Sequence, residues 1–107
     1  MSVILRKSTN KDKKFMLEVD NKKVHFGQAG ARDYTEISKP SSKHYIANKQ
    51  DREKVKSNYR SRHGNTPINK KFSPASLSWF LLWNKPSLSA SVKDYEKKFN
   101  VNIINKT

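Results

Sequence analysis

The sequence predicts a small α+β fold: an N-terminal antiparallel hairpin or three-stranded sheet packed against about three helices. Three observations predict it. Lys13 to Asp20 alternates, with Phe15, Leu17 and Val19 on one side and Lys14, Met16 and Glu18 on the other, which is the period-two signature of a strand. Ser73-Pro74 opens a nearly all-apolar stretch reaching Asn84. Leu88, Val92, Tyr95 and Phe99 recur at i, i+4, i+7 and i+11, the period of a helix with one buried face.

Each element is justified in order. Val3-Ile4-Leu5 reads as a short first strand, and the alternating Lys13–Asp20 stretch as a second. Asp20-Asn21 tolerates positive φ and so suits a tight turn, after which Val24-His25-Phe26 resumes the extended pattern. Gly27 and Gly30 mark the exit from the hairpin. Residues 31–42 read as irregular, with Ser41 or Ser42 placed to cap the central helix.

Lys43 to Arg62 contains no proline or glycine and reads as a helix carrying Tyr45, Val55 and Tyr59 on one face. His63-Gly64-Asn65 ends it, with Gly64 suited to a left-handed cap. Residues 65–72, with Pro67, form a loop. Serine as cap and proline at the first position start the next helix at Ser73-Pro74. Its residues Leu77, Trp79, Phe80, Leu81, Leu82 and Trp83 are apolar nearly all round, so it should be buried. Asn84-Lys85-Pro86 stops it and Ser87 caps a last helix. The apolar tail 101–104 is expected to add a short strand beside the hairpin. The expected core is Trp79, Phe80, Leu82, Trp83, Val92, Tyr95 and Phe99 with Phe15, Leu17 and Val24.

One domain is expected over residues 1–107, β-rich at 1–30 and helical at 43–99. Hydrophobic residues make up 34% of the chain, so its core is thin, but 10% aromatics argue against disorder. The absence of cysteine removes disulfides, thiolate metal sites and cysteine nucleophiles together and fits a reducing compartment. The longest apolar run, 79–83, is far short of a membrane span. Met1 to Arg6 is too poor in apolar residues for a signal-peptide core, so secretion by that route is not expected.

Charge carries the functional argument. There are 23 Lys+Arg against 9 Asp+Glu, a net charge of +14. A field of that sign attracts polyanions and speeds their encounter. The excess is concentrated between Lys43 and Lys71, where Asp51 and Glu53 are the only acids. The candidate anion-binding residues are Lys49, Arg52, Lys54, Lys56, Arg60, Arg62, His63, Lys70 and Lys71. Lys49, Lys56 and Arg60 fall at i, i+7 and i+11, a stripe able to follow a phosphate backbone; the bland reading is a solvated helix face. Lysine outnumbers arginine 18 to 5. Lysine is a point charge suited to backbone contact more than to base reading, so weak sequence preference is expected.

The remaining candidates are weaker. Trp79 and Trp83 lie one helical turn apart and could stack bases, but their apolar neighbours favour a place in the core or at a subunit interface. His25, His44 and His63 lack metal-ligand spacing, so no metal and no cofactor is expected. Asp33-Tyr34-Thr35 could mark a site, but an aspartate here more often caps a turn. The acids are not clustered as metal-dependent nucleases require, and no nucleotide-loop or hydrolase motif is present. The chain is therefore not expected to be an enzyme.

Several segments occur together in a fixed order: Lys23-Val24-His25-Phe26-Gly27, Asp33-Tyr34-Thr35, Tyr59 with Arg62-His63, Ser73-Pro74, Leu81-Leu82-Trp83-Asn84-Lys85-Pro86-Ser87-Leu88, then Asp94-Tyr95 and Phe99. In these the chain resembles an uncharacterised family of small basic proteins encoded by large DNA viruses of the mimivirus and chlorella-virus type. The resemblance runs over about residues 13–100 and is most specific in the Leu81–Pro86 block. Where relatives continue with a His-Lys-Asp run, this chain has Glu36-Ile37-Ser38-Lys39. The resemblance implies a virion, or the viral factory in host cytoplasm, and assigns no catalytic residue. The expected function is binding of nucleic-acid backbone, DNA ahead of RNA, in a protein packaged with a viral genome. The alternative is a minor capsid or capsid-associated protein bridging acidic capsid surfaces.

Overall fold

The computed structural model describes residues 3–65 and 68–107; Pro67, placed in a loop by its sequence, lies outside them. Strands β1 (Val3–Lys7), β2 (Lys13–Val19) and β3 (Lys22–Gln28) form an antiparallel meander, and β4 (Ile104–Asn105) adds parallel to β1, giving the order β3-β2-β1-β4. Helices α1 (Tyr34–Ile37), α2 (Lys49–Arg62), α3 (Pro74–Leu77) and α4 (Leu88–Phe99) complete the chain, α3 running on into a π-helical turn, Ser78–Leu82. The architecture is the α+β arrangement that the alternating and helical periods predict.

Register decides which face is buried. Leu17 pairs with Leu5 on one side and Val24 on the other, while Phe15 pairs with Phe26. Because side chains alternate along a strand, these residues and Val3 share one face, and that face meets the helices in a core with Leu77, Leu81, Leu82, Val92 and Tyr95. The opposite face carries the Arg6–Glu18 ion pair (2.9 Å) and the Ser8–His25 hydrogen bond (2.7 Å). The β2–β3 turn places Asp20 at φ 54°, a left-handed conformation an aspartate tolerates. Gly27 is required where it stands. Its φ is +77°, and a Cβ there would lie 2.8 Å from Leu82 Cδ1.

The helix starts obey their caps. Ser73 Oγ accepts from Ser76 N with Pro74 behind it, and Ser87 Oγ accepts from Ala90 N. After α3 the chain takes one wider turn, closed by Trp83 N donating to Ser78 O (3.2 Å). A π turn shifts the helical phase, and here Phe80, Leu81, Leu82 and Trp83 all become buried although they are consecutive. Tyr95 anchors α4. Its hydroxyl accepts from Phe72 N (3.0 Å) and bonds Ser76 Oγ (2.9 Å). Asn100 ends α4 at φ 54°, and Glu96 Oε2 accepts from Ile103 N (2.7 Å), steering the tail into β4 beside β1.

Four expectations need correction. Residues 31–42 are not wholly irregular: Asp33 caps α1 by accepting from Glu36 N (3.0 Å). The central helix starts at Lys49 rather than Lys43, capped by Asn48, whose Oδ1 accepts from Gln50 N (2.8 Å), and not by Ser41 or Ser42. Gly64 is not left-handed; α2 ends on His63 at φ −108°. The core also takes in Val3, Leu5, Phe26, Tyr34, Ile37, Leu77, Leu81 and Ile103, while Phe15, Val24, Trp79 and Phe99 pack around it half-buried.

Candidate nucleic-acid interface

The structure sorts the nine predicted anion-binding residues into three places. Helix α2 has no fully buried residue and few apolar ones. Such a helix docks weakly by hydrophobic burial alone. Its inward stripe is Arg52, Val55, Lys56, Tyr59, Arg60 and His63, all half-buried, at helical spacing. Three of these are basic, and each has a structural task. Arg52 Nη1 donates to the Ile46 and Ala47 carbonyls (2.7 and 3.0 Å). Lys56 Nζ donates to the Asn84 carbonyl (2.7 Å) and lies 4.8 Å from the centre of the Tyr34 ring. Arg60 donates through Nε and Nη2 to the Trp83 carbonyl (3.1 and 3.0 Å) and covers the Trp79 ring at 4.6 Å.

The physical reason lies at the other end of those bonds. Trp83 and Asn84 close the helical run that starts at Pro74, and the last carbonyls of a helix have no partner within it. The negative end of its dipole favours cations there. Arg60 and Lys56 supply charge and donors together, and their stems cover apolar surface on the way. The stripe Lys49–Lys56–Arg60 therefore divides, with Lys49 exposed and the other two turned to the body of the protein. Burial pulls the Lys56 ammonium and the Arg60 guanidinium below their ordinary pKa values; the Arg60 charge adds to it at Lys56, whereas Tyr59 and Asp94 oppose it at Arg60.

Aromatic rings complete the docking. Tyr59 lies between His63 and Trp83, both ring centroids 4.2 Å away, and His63 Nδ1 donates to the Tyr59 carbonyl (2.9 Å). Burial raises the Tyr59 phenol pKa. Trp83 is 7% exposed and belongs to the core, one of the two places its apolar neighbours favoured; Trp79 is half-buried with one face taken by Arg60.

The outward group on α2 is Lys49, Lys54 and Arg62, all exposed. Lys70 and Lys71 sit elsewhere. They line a hollow with Lys22 at the β2–β3 turn, and Lys71 lies over the Phe72 ring at 5.2 Å. Cations that composition did not single out join the surface from the N-terminal half. Lys7, Lys39 and Lys43 line a groove of about 1100 Å³ together with Phe15, Leu88 and the carboxylate of Glu36. The Ser38 hydroxyl beside it is a buried side-chain polar atom without a hydrogen-bond partner among the described residues.

Five of the nine acids are engaged within the protein. Lys14 Nζ binds both Asp33 (2.6 Å) and Glu36 (3.0 Å), and Arg6 holds Glu18. Asp94 accepts from Asn84 Nδ2 (2.6 Å) and Glu96 from Ile103 N. Among the described residues, ion pairs involve only two of the basic side chains, Arg6 and Lys14. Eighteen Lys and Arg side chains are exposed against four acids, Asp12, Asp20, Asp51 and Glu53, so the surface keeps the whole cationic excess. Asp33 is 2% exposed and fully engaged as a cap and ion-pair partner. No group of three His, Asp or Glu among the described residues is placed to hold a metal ion. No helix among them is long and apolar enough to cross a membrane.

Residues 3–47 match the profile of a family of unknown function, DUF5754. That segment spans the β meander, α1 and the approach to α2. No curated protein and no solved structure matches the chain.

Proposed function

We propose that this protein binds the phosphate backbone of nucleic acid, DNA ahead of RNA, with weak sequence preference and without catalysing a reaction on it. The observation that carries this reading is the charge left at the surface. Eighteen exposed Lys and Arg side chains, Lys49, Lys54, Arg62, Lys70 and Lys71 among them, face solvent against four exposed acids. Lysines spread over several elements favour contact with a repeating polyanion over recognition of one base edge. The resemblance carried by the Leu81–Pro86 block adds the setting, a protein packaged with the genome of a large DNA virus.

Fluorescence anisotropy with a short DNA duplex and a single-stranded RNA, across a series of KCl concentrations, tests the reading. Affinity should fall steeply with salt, the logarithmic slope gaining about 0.9 for each duplex phosphate neutralised. Sequence changes in the probe should matter little. A flat salt response, or no binding at low salt, would end the proposal.

A second reading is favoured by one observation. The groove lined by Lys7, Lys39 and Lys43 also presents Phe15 and Leu88, and cations beside apolar side chains suit an acidic segment of a protein better than a bare phosphate chain. A capsid-associated protein bridging acidic shell subunits would use it. Fractionation of disrupted virions separates the two: retention with the shell after nuclease treatment favours the bridging role, and release with the genome favours the first.

A further inference from the structure

The chain has five arginines, and three are committed to internal contacts: Arg6 to Glu18, Arg52 to the Ile46 and Ala47 carbonyls, and Arg60 to the Trp83 carbonyl. Arg32 and Arg62 make no ion pair or hydrogen bond among the described residues, and both are exposed. They are distant in sequence. Arg32 lies in the loop between β3 and α1, and Arg62 at the end of α2. The fold nevertheless brings them to one place. Two adjoining hollows, of about 240 and 280 Å³, share Ala31, Arg32, Arg62 and Trp83 as walls. Asn58 adds an amide to the first and Gln28 to the second.

We propose that Arg32 and Arg62 form a clamp for a phosphate group, seated in the cleft between the β3–α1 loop and the C-terminal half of α2. The chemistry fits that ligand better than a carboxylate. Two guanidinium forks offer more donors and more charge than a single carboxylate uses, and each fork can engage phosphate oxygens in pairs. Nearby amides supply further donors. The carboxylate that reaches this cleft, Asp33, is paired with Lys14, which it shares with Glu36, and is bonded by the Thr35 hydroxyl and Glu36 N, so its repulsion of an incoming anion is reduced. The floor is rigid, because Trp83 is held under Tyr59 and its carbonyl is bound by Arg60.

The clamp rests on the proposed function and deepens it, since a backbone phosphate of nucleic acid is the source to which it commits; a free phosphate is the other. Its test uses the full chain and two double variants that remove equal charge, R32Q/R62Q in the cleft and K49Q/K54Q on the exposed face of α2. R32Q/R62Q should weaken DNA binding by about 10-fold or more and lower the salt slope by about two, with K49Q/K54Q costing clearly less. R32K/R62K, which keeps the charge but loses the forks, should recover only part of the affinity. Equal losses in both glutamine variants would overturn the clamp while leaving the proposed function standing. If the unaltered chain binds no polymer at low salt, the proposed function fails and the clamp is judged on inorganic phosphate. Saturable shifts of the Arg32 and Arg62 Nε–H resonances, not reproduced by acetate at equal ionic strength, would uphold it for a free phosphate; no shift, or the same shift with acetate, would overturn it.

Discussion

The Trp83 indole lies flat against the Tyr59 phenol, the ring planes 6° from parallel and their centroids 4.2 Å apart. This contact joins the most polar helix of the protein to its most apolar one. Aromatic pairs of this kind contribute about 0.5–1.5 kcal/mol beyond the area they bury. Removing the ring at Tyr59 should therefore cost more than its half-exposed position suggests. Y59A is expected to destabilise by about 2–3 kcal/mol and Y59F, which keeps the ring, by less than about 1 kcal/mol, measured by urea unfolding. A Y59A variant as stable as the parent would show that α2 docks by other means.

Arg60 and Lys54 carry the same charge on the same helix but have different tasks. Arg60 serves the Trp83 carbonyl with two donors, and Lys54 is exposed. R60Q is expected to lower stability by about 1–3 kcal/mol, because it leaves a carbonyl short of donors at a helix end. K54Q should stay within about 0.5 kcal/mol of the parent and show its effect in DNA affinity instead. Equal melting temperatures for the two variants would contradict the division of α2 into a docking stripe and a free stripe.

Asp33 tests whether the loop after β3 is structural or chemical. It is buried, caps α1, and pairs with Lys14. D33A removes a cap and strands the Lys14 ammonium beside Glu36 alone, so a loss of about 2–4 kcal/mol is expected. DNA affinity, measured where the variant is folded, should be nearly unchanged. Metal-dependent cleavage of nucleic acid by the parent chain that D33A alone abolishes would replace the binding reading with an enzymatic one.

The pH dependence should appear on the alkaline side. Burial first, with Glu53 adding to it at Tyr34, raises the pKa of Tyr34, Tyr59 and Tyr95 above the ordinary value of 10.0. Their folded forms stay protonated where the unfolded chain has begun to lose protons, so stability falls as pH rises past 10.0. Lys56 acts oppositely. Its pKa is lowered in the fold, chiefly by burial, so stability gains as pH climbs from the folded value towards 10.5. The Arg60 guanidinium, also lowered by burial, acts in the same sense as Lys56 but from an ordinary value of 12.5. The three phenols therefore predict net alkaline unfolding just above pH 10. In Y59F one of the opposing phenols is gone, and the decline above pH 10 should be shallower by urea titration. An unchanged slope would refute the assignment.

Much of the architecture is legible in the residue order. Alternation in β2, the Asp20-Asn21 turn, and the Ser73-Pro74 and Ser87 starts are local signals, and each acts within a few residues of itself. The site is less legible. Periodicity groups Lys49, Lys56 and Arg60 on one part of the α2 surface, but it does not say which way that surface turns. A helix so poor in apolar residues gives no hydrophobic stripe to mark its inner face. The signal that could have helped is Val55 with Tyr59: the face that holds them also holds Arg52, Lys56, Arg60 and His63 at three- and four-residue intervals. Arg32 gives no signal, because nothing local in the β3–α1 loop points to the end of α2.

By itself, the amino-acid order determined the α+β class, the main helix starts, the excess of cationic side chains and the lack of any thiol chemistry, since these depend on short-range spacing and on counting. Only the tertiary structure decided which cations are spent on helix carbonyls and which remain at the surface. It also decided that Trp83 is core and that Arg32 meets Arg62 across one cleft. The physical reason is that charge and donor capacity are carried by single residues, whereas their use depends on partners that only the packed chain brings within a few ångströms.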